Sequence, residues 1–157
     1  VRLTTKGRYA VTAMLDLAYH SQDKPVTLTD IAARQTISLS YLEQLFARLR
    51  RAGMVKGVRG PGGGYKLCRI SSEINIADII IAVDESLDST KCGGEANCQK
   101  EQPCLTHELW MGLSDQIRDY LKEISIADLL ERNQVQEIAK RQHHDSHHPI
   151  EMHLHPE

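Results

Sequence analysis

Cys92, Cys98, Cys104 and His107 stand in the pattern Cys-x5-Cys-x5-Cys-x2-His, with Gly93-Gly94 and Pro103 between them. Thiolates and an imidazole are the donors of zinc and iron-sulfur centres, and the glycines and proline mark a loop able to wrap a metal. This is binding chemistry, not catalysis. A structural zinc site usually holds a close Cys-x2-4-Cys pair, whereas both Cys-Cys gaps here are longer, so the spacing disfavours a zinc knuckle. A 2Fe-2S cluster needs two ligand pairs, one for each iron. A loop carrying Cys92 and Cys98 followed by a helix start carrying Cys104 and His107 suits that demand. The imidazole replaces one thiolate charge with a neutral donor, which makes such a centre easier to reduce and less firmly held, as sensing requires. His107-Glu108 hints at a zinc-protease helix, but Met111 stands where the second histidine belongs. Cys68, separated from the loop by a helix, reads as a small buried strand residue.

The elements upstream have a different task. From Thr5, the residues Tyr9, Ala10, Ala13, Met14, Leu17 and Ala18 recur at helical spacing, and Asp23-Lys24-Pro25 ends that helix. Thr27-Leu28-Thr29-Asp30 matches a capping box opening a second helix to Gln35, and Thr36-Ile37 turns into a third, capped by Ser38 or Ser40 and closed by Gly53. On the third helix Leu39, Leu42, Leu45, Phe46 and Leu49 are expected to face inward, leaving Ser40, Glu43, Gln44, Ala47 and Arg51 outward. That face is short and polar at its start and basic further on, the layout of a helix whose early side chains reach base edges while later arginines meet phosphate. Met54–Arg59 and Tyr65–Arg69 read as strands around a Gly60–Gly64 tip, with Arg59 placed to enter a minor groove. The glycines do not make a nucleotide-phosphate loop, because Tyr65-Lys66 follows where Lys-Ser/Thr would be required.

Charge follows the same division. Residues 1–69 carry 12 Lys and Arg against 4 Asp and Glu, a net of +8, while residues 70–157 carry 7 against 17, a net of -10. A polyanion-binding face therefore belongs to the front of the chain. The 157 residues, 41% hydrophobic, fit one small domain with an appended dimerisation element. No apolar run reaches the length of a membrane span and the start lacks a secretory apolar stretch, so the expected compartment is the cytoplasm, where cysteines stay reduced and favour metal over disulfides.

The fold class expected is mainly α with a small β-hairpin wing, a winged helix-turn-helix joined to a long dimerisation helix. Residues 1–70 form the DNA-binding region, 71–91 a connecting helix and 92–107 the ligand loop. Residues 104–133 form the dimerisation helix and a short final helix capped by Ser125 and Asp128, and 134–157 a disordered tail rich in histidine. The long helix is expected to start near Cys104 or Leu105. Its stripe of Leu109, Trp110, Leu113, Ile117, Tyr120, Leu121 and Ile124 is too apolar for a lone surface helix and calls for cover, by a two-fold partner helix as the favoured reading or by the chain's own first helix as the alternative.

Taken together, RLTTKGRYAVTAMLDLA, ISLSYLEQLFARLRRAG, VRGPGGGY, VDES and the ligand spacing with LTHELW resemble the IscR family of iron-sulfur cluster-binding winged-helix regulators, from about Arg2 to Gln142. The resemblance implies a homodimeric transcription factor, repressor and activator, that carries a 2Fe-2S cluster and controls cluster-assembly genes. Cys92, Cys98, Cys104 and His107 would be its ligands, and the cluster-assembly machinery its donor. Ser40, Glu43, Gln44 and Arg59 match the family's DNA-reading positions, and double-stranded operators are the implied partner. A winged-helix repressor stabilised by zinc shares the same fold and is the alternative.

Overall fold

α1 (Thr5–His20) is the spine on which the rest is assembled: Ala10, Ala13, Met14 and Leu17 are wholly buried, and α2, α3, α4, α6 and β2 all pack against it. The computed structural model describes residues 3–147. α2 (Leu28–Gln35) begins where the Thr27 hydroxyl accepts the Asp30 amide at 3.1 Å and ends at Thr36, in the left-handed region with φ 55°. Buried charge ties α2 to the spine. Arg34 grips Asp16 with two hydrogen bonds of 2.9 and 2.8 Å, Gln35 adds a third at 2.8 Å, and the two charged side chains are 8% and 0% exposed.

α3 (Leu39–Arg51) is capped by Ser38, whose hydroxyl accepts the Tyr41 amide at 3.2 Å, which releases Ser40 from capping. Leu42, Leu45, Phe46 and Leu49 enter the core as expected, but Leu39 is 40% exposed. It sits in the first turn of α3, where the core side is already filled by Leu42 and Phe46 one turn on. The hairpin follows as β1 (Val55–Val58) and β2 (Gly64–Leu67), antiparallel with Val55 opposite Leu67. A backbone bridge from Val26 to Tyr65, with bonds of 3.0 and 2.7 Å, fastens the hairpin base to the segment before α2. Gly64 is required there, since a Cβ would lie 2.4 Å from the Val26 carbonyl oxygen. Phe46 meets Tyr65 edge-on at 5.0 Å, locking α3 to the same hairpin. Cys68 lies beyond β2 and is exposed, a correction to its expected burial: its amide pairs with Met54 O at 2.9 Å while its side chain takes the outward alternation.

α4 (Ile76–Ala82) is capped by Asn75 and buries Ile76, Ala77, Ile79 and Ile80. α5 (His107–Lys122) starts later than expected, because Cys104 to Thr106 make a turn, with His107 N bonded to Cys104 O at 3.2 Å. α6 (Ile126–Leu130) opens with a complete Ser125–Asp128 capping box and is bound to the start of α4 by Ile126 N to Ile74 O at 2.9 Å and Ile76 N to Ile124 O at 3.0 Å.

The largest departure is α7 (Asn133–His147), a helix where disorder is expected from the histidine-rich composition. Val135, Ile138 and Ala139 recur at helical spacing and, with Leu15, Tyr19 and Leu130, line the seam between α7 and the spine. Gln142 exchanges amide hydrogen bonds of 2.8 and 3.1 Å with Gln35. The remaining expected tail, 148–157, lies outside the described residues.

Candidate metal centre and nucleic-acid interface

The ligand loop is held at both ends before any metal is considered. At its entrance Asp88 Oδ1 accepts the Thr90 amide at 2.7 Å and hydroxyl at 2.8 Å, and Ser114 of α5 donates to the same oxygen at 3.3 Å. The Thr90 hydroxyl oxygen in turn accepts Gly94 N at 2.9 Å. Gly93 and Gly94, at φ 65° and 84°, then curl the backbone around Cys92. Further on, Lys100 and Glu101 both have positive φ, 47° and 63°, at the centre of a two-residue turn closed by Gln99 and Gln102 with bonds of 2.9 and 2.8 Å. That turn normally selects asparagine and glycine, so two side chains here stand in a sparsely favoured conformation.

This scaffold brings Cys92, Cys98 and His107 together, with ligand atoms all within 4.8 Å of one another. His107 Nδ1 lies 3.6 Å from Cys92 Sγ and 3.7 Å from Cys98 Sγ. The fourth expected residue is adjacent but turned aside: the Cys104 amide donates to Cys98 Sγ at 3.0 Å, while its own Sγ lies 3.9 Å from Thr106 Oγ1. Burial pushes the Cys92 thiol up, but hydrogen bonds from Thr90 and from the amides of Gly94, Ala96 and Asn97 outweigh it and hold the group at about 6. The hydrogen bond between Cys98 and Cys104 raises the first thiol and lowers the second. A pocket rich in amide donors that keeps one thiol ionised and gathers soft and borderline donors fits a thiolate-ligated iron or zinc centre. The site opens to a cleft of mixed character, in which Lys91, Gln99 and Thr106 stand beside Leu105, Trp110 and Leu113.

The candidate DNA-facing residues lie on α3 and at the wing. Ser40, Glu43 and Gln44 are exposed on the first turns of α3, Arg51 is exposed at its last residue, and Arg59 is exposed just past β1, at the entrance to the glycine tip. Together they form a polar-then-basic face with an arginine beside it. Arg48 does not join that face: its guanidinium bonds Asp84 and lies 3.4 Å from Val83 O, joining α3 to the segment that leads to the loop.

Sequence reasoning missed Thr90, Asp88 and Ser114, the residues that shape the loop entrance. Asp88-Ser89-Thr90 does carry a signal, an acid followed two residues on by a hydroxyl and an amide it can accept, but nothing local points to Ser114.

Residues 3–132 match the Rrf2 family, described as iron-dependent transcriptional regulators. The HTH-type transcriptional regulator IscR of Photobacterium profundum is 60% identical over 142 residues, covering 90% of this chain and 83% of the relative. That of Vibrio cholerae is 58% identical over 142 residues, with 90% and 82% covered. Among solved structures, T. potens IscR superposes with a TM-score of 0.69 at 40% identity, covering 83% of this chain and 87% of that one. CymR, the global cysteine regulator of B. subtilis, gives a TM-score of 0.72 at 32% identity, with 82% and 95% covered. Its relatives are regulators rather than enzymes, and the mainly helical fold with its single described hairpin is theirs. The chain belongs to the Rrf2 family of transcriptional regulators.

Proposed function

We propose that the protein is a 2Fe-2S cluster-sensing, DNA-binding repressor and activator of iron-sulfur cluster assembly genes. The observation that carries this reading is the convergence of Cys92, Cys98 and His107 to within 4.8 Å on a loop already ordered by hydrogen bonds. Cys104, next to Cys98, completes the donor set by rotation of a half-buried side chain. When bound, the cluster supplies a redox-active and labile centre whose presence reports cluster supply. The protein's own part is to keep the Cys92 thiol ionised, to hold the Thr90–Asp88–Ser114 entrance closed, and to present three thiols and an imidazole to the cluster-assembly machinery that donates it.

On the DNA side, Gln44 and Ser40 reach base edges, Arg51 meets phosphate, and Arg59 enters a minor groove under the wing. Glu43 is repelled by phosphate and welcomed only by a donor such as cytosine N4, so it excludes sequences that lack one. The chain acts as a homodimer in the cytoplasm. Leu109, Trp110, Leu113 and Tyr120 stay 38–62% exposed on α5, an apolar face that a second copy covers while two recognition helices take two half-sites.

Anaerobic purification with iron, sulfide and zinc analysis, followed by footprinting of cluster-loaded and cluster-free protein on genomic DNA, tests the reading. Equal iron and sulfide with visible absorbance and a footprint that changes with loading support it. Colourless protein with stoichiometric zinc and an unchanging footprint would replace it with the zinc-stabilised repressor.

A further inference from the structure

α7 rests on the winged-helix unit through a seam whose outer end carries histidines. His20, the last residue of α1, is half-buried there and stacks on His143 of α7, with ring centroids 5.4 Å apart and planes within 24° of parallel. His143 in turn meets His147, one helical turn further on, edge-on at 4.4 Å. The rest of the seam is thin. Val135, Ile138 and Ala139 supply its apolar part, Ile138 remains 38% exposed, and the Gln35–Gln142 amide pair supplies its polar anchor. A contact of this size can be governed by one charge.

We propose that His20 and His143 form a proton-operated latch, which holds α7 on α1 and α2 while both imidazoles are neutral and releases it when they are protonated. α2 leads directly into α3, so the latch sits on the helix-turn-helix itself.

The groups around His20 oppose a charge on it in the docked state. On α1, Asp16 is the near acid, but its carboxylate already accepts three hydrogen bonds from Arg34 and Gln35, which leaves little for a second cation. Tyr19, edge-on to the ring at 4.8 Å, is neutral throughout the range in which imidazoles titrate. On α2, Arg34 is held by Asp16 and is only 8% exposed, so it cannot swing away from a new positive charge. Asp30 opposes it from the first turn of the same helix, but is exposed and screened by water. On α7 the facing group is His143, a base that takes up its own proton in the same range. Among the described residues no carboxylate hydrogen-bonds the His20 ring. Burial, then Arg34, therefore holds the His20 imidazole below its ordinary value, with Asp16 opposing and His143 adding to the fall. Departure of α7 returns the ring to water and removes His143, which lifts the value back. A group whose pKa is lower docked than released gives docking a stability that is full above the ordinary imidazole range and is lost as pH falls through it.

Hydrogen exchange of the full chain, read by mass spectrometry and divided by the intrinsic rate at each pH, tests the latch. Between about pH 7.5 and 5.5 the protection of α7 should fall in the wild type while that of α3 holds, by up to about tenfold per unit of pH for one proton taken up on release. His20→Gln, whose amide stays neutral, should keep α7 protection level across the same range, and His143→Gln should make the fall shallower. Titration of His20 in the wild type by nuclear magnetic resonance should give a midpoint below the ordinary imidazole value, and this measurement decides where His20→Gln does not fold. Flat protection of α7 in the wild type, an equally steep fall in folded His20→Gln, or a His20 midpoint at or above the ordinary value would overturn the proposal.

Discussion

Replacing Asp16 with alanine should be among the most destabilising single changes in this protein, although Asp16 touches neither the ligand loop nor the DNA face. Its carboxylate accepts three hydrogen bonds of 2.8 to 2.9 Å from Arg34 and Gln35, its side chain is 0% exposed, and Arg34 is 8% exposed. Truncation leaves a buried guanidinium without its counter-charge. Breaking one partner of such a pair costs about 3–5 kcal/mol, a large share of the roughly 5–15 kcal/mol that holds a domain folded. In thermal unfolding that is a drop of about 6–20 °C for a chain of this size. Asp16→Asn, which keeps an acceptor but removes the charge, should cost about 1.5–3 kcal/mol. Replacing both partners with apolar residues, Asp16→Leu with Arg34→Met, should recover most of the loss, because the desolvation penalty disappears with the charges. Gln35 bridges Asp16 to Gln142, so Asp16→Ala should also speed amide hydrogen exchange in α7. Urea unfolding followed by circular dichroism gives the stabilities. A loss under about 1 kcal/mol for Asp16→Ala, or a double variant as unstable as the single, refutes the claim that this ion pair is buried and coupled.

The other expectations concern the loop, the DNA face and acid stability. Cys92→Ala should remove iron and sulfide from anaerobically purified protein while leaving the helical circular dichroism intact, because the winged helix buries its core without the loop; unfolding would instead mark the metal as structural. Gln44→Ala should cost about 1–3 kcal/mol at operators that present adenine opposite it and little elsewhere, whereas Arg59→Ala should weaken binding most over A/T-rich minor grooves. Fluorescence anisotropy on paired operators separates the two, and uniform losses for Gln44→Ala would exclude base reading. For Glu85, burial raises the pKa, but hydrogen bonds from the Thr4 hydroxyl and amide outweigh it and leave the carboxyl below its ordinary value. A folded pKa below the unfolded one gives stability that is full above the ordinary carboxylate range and is lost as pH falls through the folded value. Glu85→Gln should therefore flatten the acid limb of the stability curve, and an unchanged limb would assign acid unfolding to other groups.

The first three helices and the hairpin were legible because their cores repeat with the right period and their ends carry caps: Thr27 before Asp30, Ser38 before Tyr41, glycines at the tip. The ligand residues stood out by type and spacing, and three of the four converge in space. Other features were hidden for definite reasons. α7 carries a thin apolar stripe, Val135, Ile138 and Ala139, among glutamines and histidines, and its stability comes from docking on residues more than a hundred positions away, such as Gln35. Leu39 obeyed the helical period but fell in a first turn that the core does not reach. Cys68 followed a strand whose alternation turned it outward. The Asp16–Arg34 pair joins two helices across a break, and no local rule pairs an acid with a base that far along the chain.

The bridge between Val26 and Tyr65 has a mechanical consequence. It stitches the base of the hairpin to the segment entering α2, and Phe46 against Tyr65 stitches the same hairpin to α3. α3 and the arginine beside the wing tip therefore share one frame, and neither can tilt without carrying the other. A signal from elsewhere in the protein cannot retune one contact by bending that frame at modest cost. It must swing the frame as a unit about its contact with α4; on the proposed homodimeric, DNA-binding reading, a change in occupancy at the loop would then register as a change in the distance between two half-sites, read by the length of the spacer between them.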